Sequence, residues 1–283
     1  MKGRIDVNCA KNKYEILRDI KDSIWFRAIM YPYGIYKFHK YNRTFDKSHY
    51  PDKIKSFKNI HYGERCFVIG NGPSLTPSDL DLICGEQSFA ANKIYNIFPY
   101  TKWRPNYYLC MDYMSIVEEI SSEINKFEAD TIFINWQQNK RIGDLDNYIY
   151  CNFNPRYVIN FWDDKKVVFS EDCSKFIDNA RTVTYSSLQL AVYMGFSEIN
   201  LLGIDFCYPI YKDGRGRKHI VKVTDSHFKN GGYDRTDYMV KETNEFGFIK
   251  AKEYCDNHGI KIYNATRGGK LEIFPRVNLD DII

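Results

Sequence analysis

The stretch "CFVIGNGPSL" is the first place in the chain where residue types and spacing suggest chemistry. A short apolar run leads into a Gly-Asn-Gly turn, whose glycines, including Gly72, would let a ligand approach the backbone closely. The Asn71 amide can bond to a base or a sugar. Pro73 and Ser74 follow as further candidate nucleotide contacts, and the amides at the start of the next helix could face a phosphate. The dinucleotide fingerprint needs a third glycine where Leu75 stands, and a P-loop needs Gly-Lys-Ser/Thr. The pattern predicts a nucleotide contact or a purely structural turn.

A second candidate is the segment "LLGIDFCYPIY", in which Asp205 follows an apolar strand. An aspartate at that position can bind Mg²⁺, hold a ribose or cap a turn. Tyr208 and Tyr211 come shortly after it and can donate hydrogen bonds to a leaving phosphate. Tyrosine is abundant in this chain, so packing is the competing interpretation for each of them.

Two histidines compete as a general base. His227 lies in "TDSHF", a polar segment typical of a loop, where an imidazole titrates near neutral pH. His219 lies in the run "GRGRKH", where neighbouring positive charge would lower its basicity. An exposed histidine without a catalytic role is the alternative for both.

Two further segments have the composition of anion sites. Hydroxyl side chains crowd a predicted helix start in "NARTVTYSS", where they can cap the helix or help to bind an anion: Thr182, Thr184, Ser186 and Ser187. The Gly-Gly turn of "NATRGGKLEIFPRV" is flanked by Arg267 and Lys270, which can grip an anion or belong to an ordinary loop. No zinc-ligand spacing and no G-x-S-x-G elbow occurs in the sequence. The acidic "DLDLI" lies inside a predicted helix, so it is not the D-x-D motif of the common metal-dependent glycosyltransferases.

The elements that must position these residues alternate between short apolar strands and helices. Strands are predicted at Cys66–Ile69 and in "SFAANKIY", "NYYLCMDYMSI", "DTIFINW", "EINLLGIDF" and "IKIYNAT". Thr76 before Pro77 is predicted to be a helix N-cap. This alternation indicates an α/β, Rossmann-like, mainly parallel sheet flanked by helices. Ligands of such sheets bind beyond the carboxyl ends of the strands, which draws attention to Asn71, Asn92, Asp112 and Asp205.

Residues 1–60 form a predicted basic and aromatic helical extension, and residues 61–283 form the predicted Rossmann-like domain. Residues 1–63 hold 14 Lys or Arg against six Asp or Glu, whereas the whole chain has a net charge of only +4. Apolar residues at helical spacing begin at Ile16, and Pro32 and Gly34 are expected to interrupt the helix. An anionic membrane surface is a candidate partner of residues 1–45. A helix packed on the main domain or a dimer arm are the alternatives.

The eight cysteines occur singly, which is typical of reduced and buried thiols in a cytosolic protein. The first residues lack the apolar core of a signal peptide, and no apolar run approaches the ~20 residues of a membrane span. The expected location is therefore the cytoplasm or the inner face of the plasma membrane. Nucleic acid is not an expected partner, and a homo-oligomer is left open.

Several of these motifs together carry a family resemblance. The stretches "VIGNGPSL", "ANKIY", "TVTYSSLQLAVYMGFSEINLLGIDF" and "HGIKIYNATRGGKLEIFPRV" resemble the 6-hydroxymethylpterin diphosphokinase-like proteins of bacterial surface-polysaccharide clusters. The similarity covers residues 61–283. The same landmarks are more distantly similar to the Campylobacter-type sialyltransferases of glycosyltransferase family 42.

The sialyltransferase resemblance implies a cytidine-monophosphate (CMP) sugar donor and no metal. It implies nucleotide contacts for Asn71, Gly72, Asn92, Thr184 and Asp205. It also implies phosphate-binding roles for Tyr208 and Tyr211.

In the same resemblance, His227 is the counterpart of the segment that carries the catalytic base. The family's base lies three residues further on, where this chain has Asn230. Asp112 stands where the family has asparagine.

The resulting prediction is a metal-independent glycosyltransferase of cell-surface polysaccharide synthesis, which transfers a sugar to a glycan or lipid-linked acceptor. One alternative is a diphosphokinase that uses ATP and Mg²⁺, with Asp112 and Asp205 as metal ligands. The other alternative is a non-catalytic accessory protein that retains the fold.

Overall fold

The computed structural model describes residues 24–111, 129–143, 146–153, 167–180, 182–207, 210–212, 218–220 and 241–283. The chain divides into two compact units. One comprises Met1–Arg43 with Pro155–Trp162, and the other comprises Thr44–Asn154 with Asp163–Ile283.

The second unit contains a seven-stranded sheet in which every neighbouring pair is parallel. The spatial order is β5-β4-β3-β2-β1-β6-β9. The strands are β1 (Arg65–Ile69), β2 (Ser88–Ala91), β3 (Tyr107–Cys110), β4 (Thr131–Asn135), β5 (Tyr148–Cys151), β6 (Glu198–Leu202) and β9 (Lys261–Asn264). Strands β7 (Ile210–Lys212) and β8 (Lys218–Ile220) form a separate antiparallel pair. The sheet confirms the predicted α/β, Rossmann-like fold.

The inner strands are buried along almost their whole length, as expected when helices cover both faces of a parallel sheet. Six of the seven strands were predicted from the sequence, and β5 was not. That strand has four residues, and periodicity does not distinguish such a short run from a loop.

Six α-helices are described: α1 (Ile24–Asp46), α2 (Tyr50–Lys55), α3 (Pro77–Leu82), α4 (Asn139–Ile142), α5 (Val183–Tyr193) and α6 (Lys241–Asn257). Short 3₁₀ segments occur at Asn92–Tyr100, Trp136–Gln138 and Leu279–Asp281.

The expectation that Pro32 and Gly34 interrupt the first helix is wrong, because α1 continues through both to Asp46. A proline removes one helical donor and bends a helix, but it does not end one that is held further along. The last turn of α1 is held by Phe45, which is fully buried with its ring edge against Trp136.

The direction of helix α5 shows which edge of the sheet its N-terminus occupies. The helix packs on β1, β2 and β3. The C-terminal end of α5 also contacts the segment that leads into β1. There, the Asn59 N–H donates to the Tyr193 carbonyl, and the His61 N–H donates to the Met194 carbonyl. Helix α5 therefore runs antiparallel to the strands, and its N-terminus lies at their carboxyl edge. The N-terminus of α3, which directly follows β1, lies at the same edge.

Most of the described cysteines are buried, as predicted: Cys66, Cys110, Cys151, Cys173 and Cys255. Burial raises the pKa of the Cys66 and Cys173 thiols well above the ordinary value. Cys84 is exposed, so the expectation of burial is wrong there; it lies in the turn after α3, away from the apolar strands. Across the described ranges, no helix is both long and apolar enough to cross a membrane.

Candidate functional site

The strand order reverses between β1 and β6. The chain proceeds outward from β1 to β5 on one side of β1, while β6 and β9 lie on its other side. In open α/β sheets, ligands bind in the crevice outside the carboxyl ends of the strands at such a reversal. The Gly-Asn-Gly turn follows β1 directly, and Asp205 follows β6. Because β1 and β6 are neighbours, the topology places these two segments together.

Asp205 and the Gly-Asn-Gly turn are in direct contact. The Ser74 hydroxyl donates a hydrogen bond of 2.8 Å to Oδ2 of Asp205, and the Ser74 backbone N–H donates one of 3.3 Å to the same oxygen. A Cβ atom at Gly72 would lie 1.7 Å from that oxygen. Gly72 is therefore required for the approach of Asp205, whereas Pro73 is exposed beside it.

The backbones of the two loops are also interlocked. Gly70 N–H donates to the Leu202 carbonyl at 2.8 Å, and Gly72 N–H donates to the Gly203 carbonyl at 2.9 Å. A Cβ at Gly70 would lie 2.4 Å from the Gly203 oxygen. These contacts support the structural interpretation of the turn, because its glycines join two strand ends at the mouth of the crevice.

The C-terminal segment fixes the position of Asp205. This contact was not predicted from the sequence. Thr266 Oγ1 accepts a hydrogen bond of 3.0 Å from the Ile204 N–H, and the Lys270 N–H donates one of 2.8 Å to the Asp205 carbonyl. Gly269 has φ +74°, and a Cβ there would lie 2.9 Å from the Asp205 Cα. The Gly-Gly pair of the sequence signals a close backbone approach. It does not name Asp205 as the partner, because Asp205 is distant in sequence.

Asn71 and Asn92 lie at the ends of neighbouring strands. Nδ2 of Asn71 donates to the carbonyl of Ala91, the residue before Asn92, at 3.0 Å. Asn92 has φ +53°, and its own carbonyl accepts a bond of 2.6 Å from the Tyr108 hydroxyl. The Oδ1 atoms of both asparagines are buried and have no hydrogen-bond partner among the described residues. Burying an acceptor without a partner is costly, and the position of these two at the carboxyl ends of the strands suits a ligand that brings donors.

The N-terminus of α3 is closed by its own side chains. Thr76 Oγ1 accepts a bond from the Asp79 N–H, and an Asp79 carboxylate oxygen accepts from the Thr76 N–H and hydroxyl. This capping box confirms Thr76 as the N-cap, and it places a carboxylate where an anion would have to bind. An anion site at the start of this helix, which the amides there suggested, is therefore wrong.

The anion grip proposed for Arg267 is also wrong. Its guanidinium donates to Asp79 Oδ1 at 2.7 Å and to both carboxylate oxygens of Asp280, at 2.9 and 3.1 Å. These bonds, first with Asp280 and then with Asp79, raise the Arg267 pKa far above its ordinary value. The cation is already neutralised, so it links α3 to the C-terminal segment.

The N-terminus of α5 differs from that of α3. Its N-cap, Thr182, has extended backbone angles and makes no side-chain capping bond within the described structure. The hydroxyls that the sequence suggested as caps bond elsewhere, since Ser186 donates to the Asp178 carbonyl and Ser187 to the Val183 carbonyl. Thr184 is buried in the first turn. The Tyr185 N–H bonds back to the Thr182 carbonyl at 3.1 Å, which leaves the amides of Val183 and Thr184 for an anion among the described residues.

A buried carboxylate lies near this terminus but is engaged elsewhere. Asp178 is 1% exposed, and its two oxygens accept from the N–H groups of Ala180 and Val168, each at 3.1 Å. Gln189 Oε1 accepts from the N–H groups of Ser170 and Asp178. This network fixes the loop that leads into α5.

The remaining predicted residues are only partly described. Asp112, Tyr208 and His227 lie outside the described residues. Tyr211 lies in β7, opposite His219 of β8 in the hairpin register, and only their backbone is described. Within the described ranges, no group of three or more His, Cys, Asp or Glu could hold a metal ion.

Comparison with known proteins agrees with the fold. The family model of 6-hydroxymethylpterin diphosphokinase MptE-like proteins matches residues 38–210. The chain therefore belongs to the 6-hydroxymethylpterin diphosphokinase MptE-like family. None of the curated proteins searched has a significantly matching sequence.

Among solved structures, the chain is similar to the MAf glycosyltransferase from Magnetospirillum magneticum AMB-1, with a TM-score of 0.53 and 14% identity. The match covers 83% of this chain but only 39% of that glycosyltransferase. A weaker match is the sialyltransferase CstII from Campylobacter jejuni in complex with cytidine-5'-monophosphate, with a TM-score of 0.43 and 16% identity, over 76% of this chain and 85% of that one. At 14% identity, the likeness to the MAf glycosyltransferase shows a shared fold. Both families named from the sequence are among the matches.

Proposed function

We propose that the chain is a nucleotide-dependent transferase, and specifically a metal-independent glycosyltransferase that uses a CMP-linked sugar. The observation that carries the proposal is the pair of buried Oδ1 atoms of Asn71 and Asn92, which have no partner among the described residues. They lie at the carboxyl ends of β1 and β2, next to the topological switch point. An exocyclic base amine or a ribose hydroxyl would supply the missing donors.

In this proposal the N-terminus of α5 holds the phosphate of the donor. The N–H groups of Val183 and Thr184 have no side-chain cap within the described structure, and the helix dipole favours negative charge there. The hydroxyls of Tyr208 and Tyr211 would add hydrogen bonds to the leaving phosphate. Asp205, held by Ser74 and the C-terminal segment, would contact the nucleotide end of the donor.

The transfer step would need one base. His227 would take the proton of the acceptor hydroxyl while that oxygen bonds to the anomeric carbon of the sugar. The bond from the anomeric carbon to the phosphate oxygen breaks, and CMP leaves with the electron pair. A positioned general base contributes about 10²–10⁴-fold to such a step. The acceptor would be a cell-surface glycan or its lipid-linked precursor.

The family match favours a second candidate. The family model is named for a 6-hydroxymethylpterin diphosphokinase, and such an enzyme would bind ATP with Mg²⁺ at the same crevice. Asp205 and Asp112 would then be the metal-binding carboxylates. The carboxylate of Asp205 already accepts from Ser74 through one oxygen, which leaves the other oxygen for a metal.

Calorimetric titration of the full chain with CMP, UDP, GDP and ATP, each with and without Mg²⁺, separates the candidates. We expect CMP to bind without metal and to raise the melting temperature. At a hundredfold excess of CMP over Kd, the free energy of unfolding should rise by about 2.7 kcal/mol. Binding of ATP only in the presence of Mg²⁺ would favour the diphosphokinase. If no nucleotide binds, the accessory role is favoured instead.

The Asn92→Gly variant tests the nucleotide contact directly. Glycine accepts the positive φ without strain, so only the amide is lost. We expect CMP affinity to fall about tenfold, the value of one hydrogen bond, while the free energy of unfolding stays equal or rises. Asn59→Gly is the matched control, because Asn59 has φ +59° and lies beyond the opposite end of the strands. Unchanged CMP affinity in folded Asn92→Gly would refute the assignment.

The base is tested separately by His227→Ala. We expect this variant to bind CMP normally and to lose sugar transfer from a CMP-linked sialic acid to an oligosaccharide acceptor. His219→Ala is the matched control and should keep transfer. Loss in the control alone would assign the base to His219 instead.

A further inference from the structure

One face of helix α1 exposes large apolar side chains. Ile29, Tyr33 and Tyr36 are 76%, 50% and 59% exposed. They recur at spacings of four and three residues, which places them on a single side of the helix. On the opposite side, Gly34 and Phe45 are buried and Tyr31 is 44% exposed. Exposed apolar side chains that form a contiguous stripe mark an interaction surface, whereas scattered ones do not.

Basic side chains occupy the same side of the helix. Lys37, Lys40 and Arg43 are all exposed there, and the helix holds no Asp or Glu before its last residue, Asp46. The Lys37 ammonium lies 4.7 Å from the centre of the Tyr33 ring, and that of Lys40 lies 5.8 Å from the centre of the Tyr36 ring. The tyrosines and lysines therefore form one continuous aromatic and cationic surface. We call Ile29, Tyr33, Tyr36, Lys37, Lys40 and Arg43 the α1 face.

We propose that the α1 face docks on an anionic lipid bilayer, with the helix lying in the plane of the interface. Tyrosine suits this position because its ring is apolar and its hydroxyl stays hydrated at headgroup depth. Lysine and arginine can extend from the same side to the lipid phosphates. Helix α1 is too polar to cross a bilayer, and no other helix of the described ranges is long and apolar enough to do so.

Charge complementarity selects the occupant. A second copy of this face would bring three cations against three cations, which opposes self-association. A bilayer rich in anionic headgroups supplies negative charge over the whole length of the helix and also accepts the exposed Ile29. An acidic protein would satisfy the cations but would not need an exposed isoleucine on the same side of the helix.

The test is co-sedimentation of the full chain with vesicles of phosphatidylcholine alone or with 30% phosphatidylserine. We expect binding to the anionic vesicles only, and weaker binding as salt rises. In Lys37→Gln/Lys40→Gln/Arg43→Gln, the partition constant should fall by about fivefold for each charge removed. Glutamine has nearly the helix propensity of lysine, so circular dichroism should show an unchanged helix content.

Two further variants separate the α1 face from general basicity. Lys58→Gln/Lys102→Gln/Lys140→Gln removes the same charge from exposed positions of the second unit and should bind as the wild type does. Tyr33→Gln/Tyr36→Gln keeps every charge and should lower binding to anionic vesicles. Equal losses of binding in the α1-face triple and in the second-unit triple would overturn the proposal. Equal binding to neutral and anionic vesicles, or no binding to either, would overturn it as well. A drop in molecular mass by ultracentrifugation in the α1-face triple, with no change on vesicles, would assign the face to self-association and would also overturn it.

Discussion

Two helices present their N-termini at the same edge of the sheet, and they differ in how those termini are occupied. At α3, Thr76 and Asp79 satisfy each other's backbone amides, and Asp79 adds a negative charge. At α5, the N-cap Thr182 makes no side-chain capping bond within the described residues. The dipole of each helix favours an anion, but at α3 that place is already taken.

The difference separates stability from binding. A capped terminus stabilises its helix by about 1 kcal/mol and cannot also bind a phosphate. An open terminus gives up that stabilisation and keeps its donors for a ligand. We therefore expect changes at α3 to affect unfolding and changes at α5 to affect nucleotide affinity.

The largest expected effect comes from closing α5 with Thr182→Asp. Thr182 has the extended backbone of an N-cap, so aspartate can accept from the amides of the first turn. Its charge would also repel the phosphate by about 3 kcal/mol at a separation of about 5 Å and an effective dielectric constant of about 20. We expect the affinity for CMP to fall about 100-fold and the free energy of unfolding to stay equal or rise. Calorimetry and urea titration measure the two quantities.

The matched control for this change is Thr182→Asn, which can cap the helix without adding charge. It should weaken CMP binding by far less than aspartate does. If Thr182→Asp binds CMP as tightly as the wild type, the phosphate does not lie at α5.

The second effect comes from disturbing the closed terminus with Asp79→Asn. Asp79 is 2% exposed and accepts from Thr76 and Arg267. Loss of these charged hydrogen bonds should cost about 2 kcal/mol of stability, less than a fully buried pair because Arg267 is 41% exposed. CMP affinity should stay within twofold in calorimetry. Tighter CMP binding in this variant would instead place the anion site at α3, because the repelling charge would be gone.

The smallest effect concerns the outer partner of Arg267. The hydrogen bond from Arg267 lowers the pKa of Asp280. A carboxylate whose pKa is depressed in the folded state stabilises the fold above its unfolded pKa, and that stabilisation is lost as pH falls through the folded pKa. Asp280→Asn should therefore be slightly less stable than the wild type at pH 7, and the gap should close as pH falls below about 4. A constant gap in urea titrations from pH 7 to pH 3 would contradict this.

Local patterns predicted a substantial part of the structure. Thr-Pro followed by Asp79 is a capping signature within four residues, and Thr76 is the N-cap. Gly259, two residues beyond the end of α6, has φ +70°, which is typical of glycine just past a helix C-terminus. Six of the strands were recognisable because a run buried on both faces is almost wholly apolar.

Patterns failed where distant segments meet. Arg267 has the composition of an anion site, but Asp79, 188 residues away in sequence, neutralises it. The role of Gly269 depends on the backbone of Asp205, and no local signal names that partner. Pro32 was misread for a different reason, since the buried end of α1 holds the helix beyond it.

Residue order along the chain was enough to specify the parallel sheet and the hydrogen-bonding groups at its strand ends, because both depend on local apolar runs and turn residues. Which of those groups stay available to a ligand was decided only in the folded chain. Ser74 and Asp205 are 131 residues apart and satisfy each other, whereas Oδ1 of Asn71 finds no partner among the described residues. The physical reason is that a buried polar group is satisfied by whatever the fold brings within about 3 Å, and that distance is a property of packing.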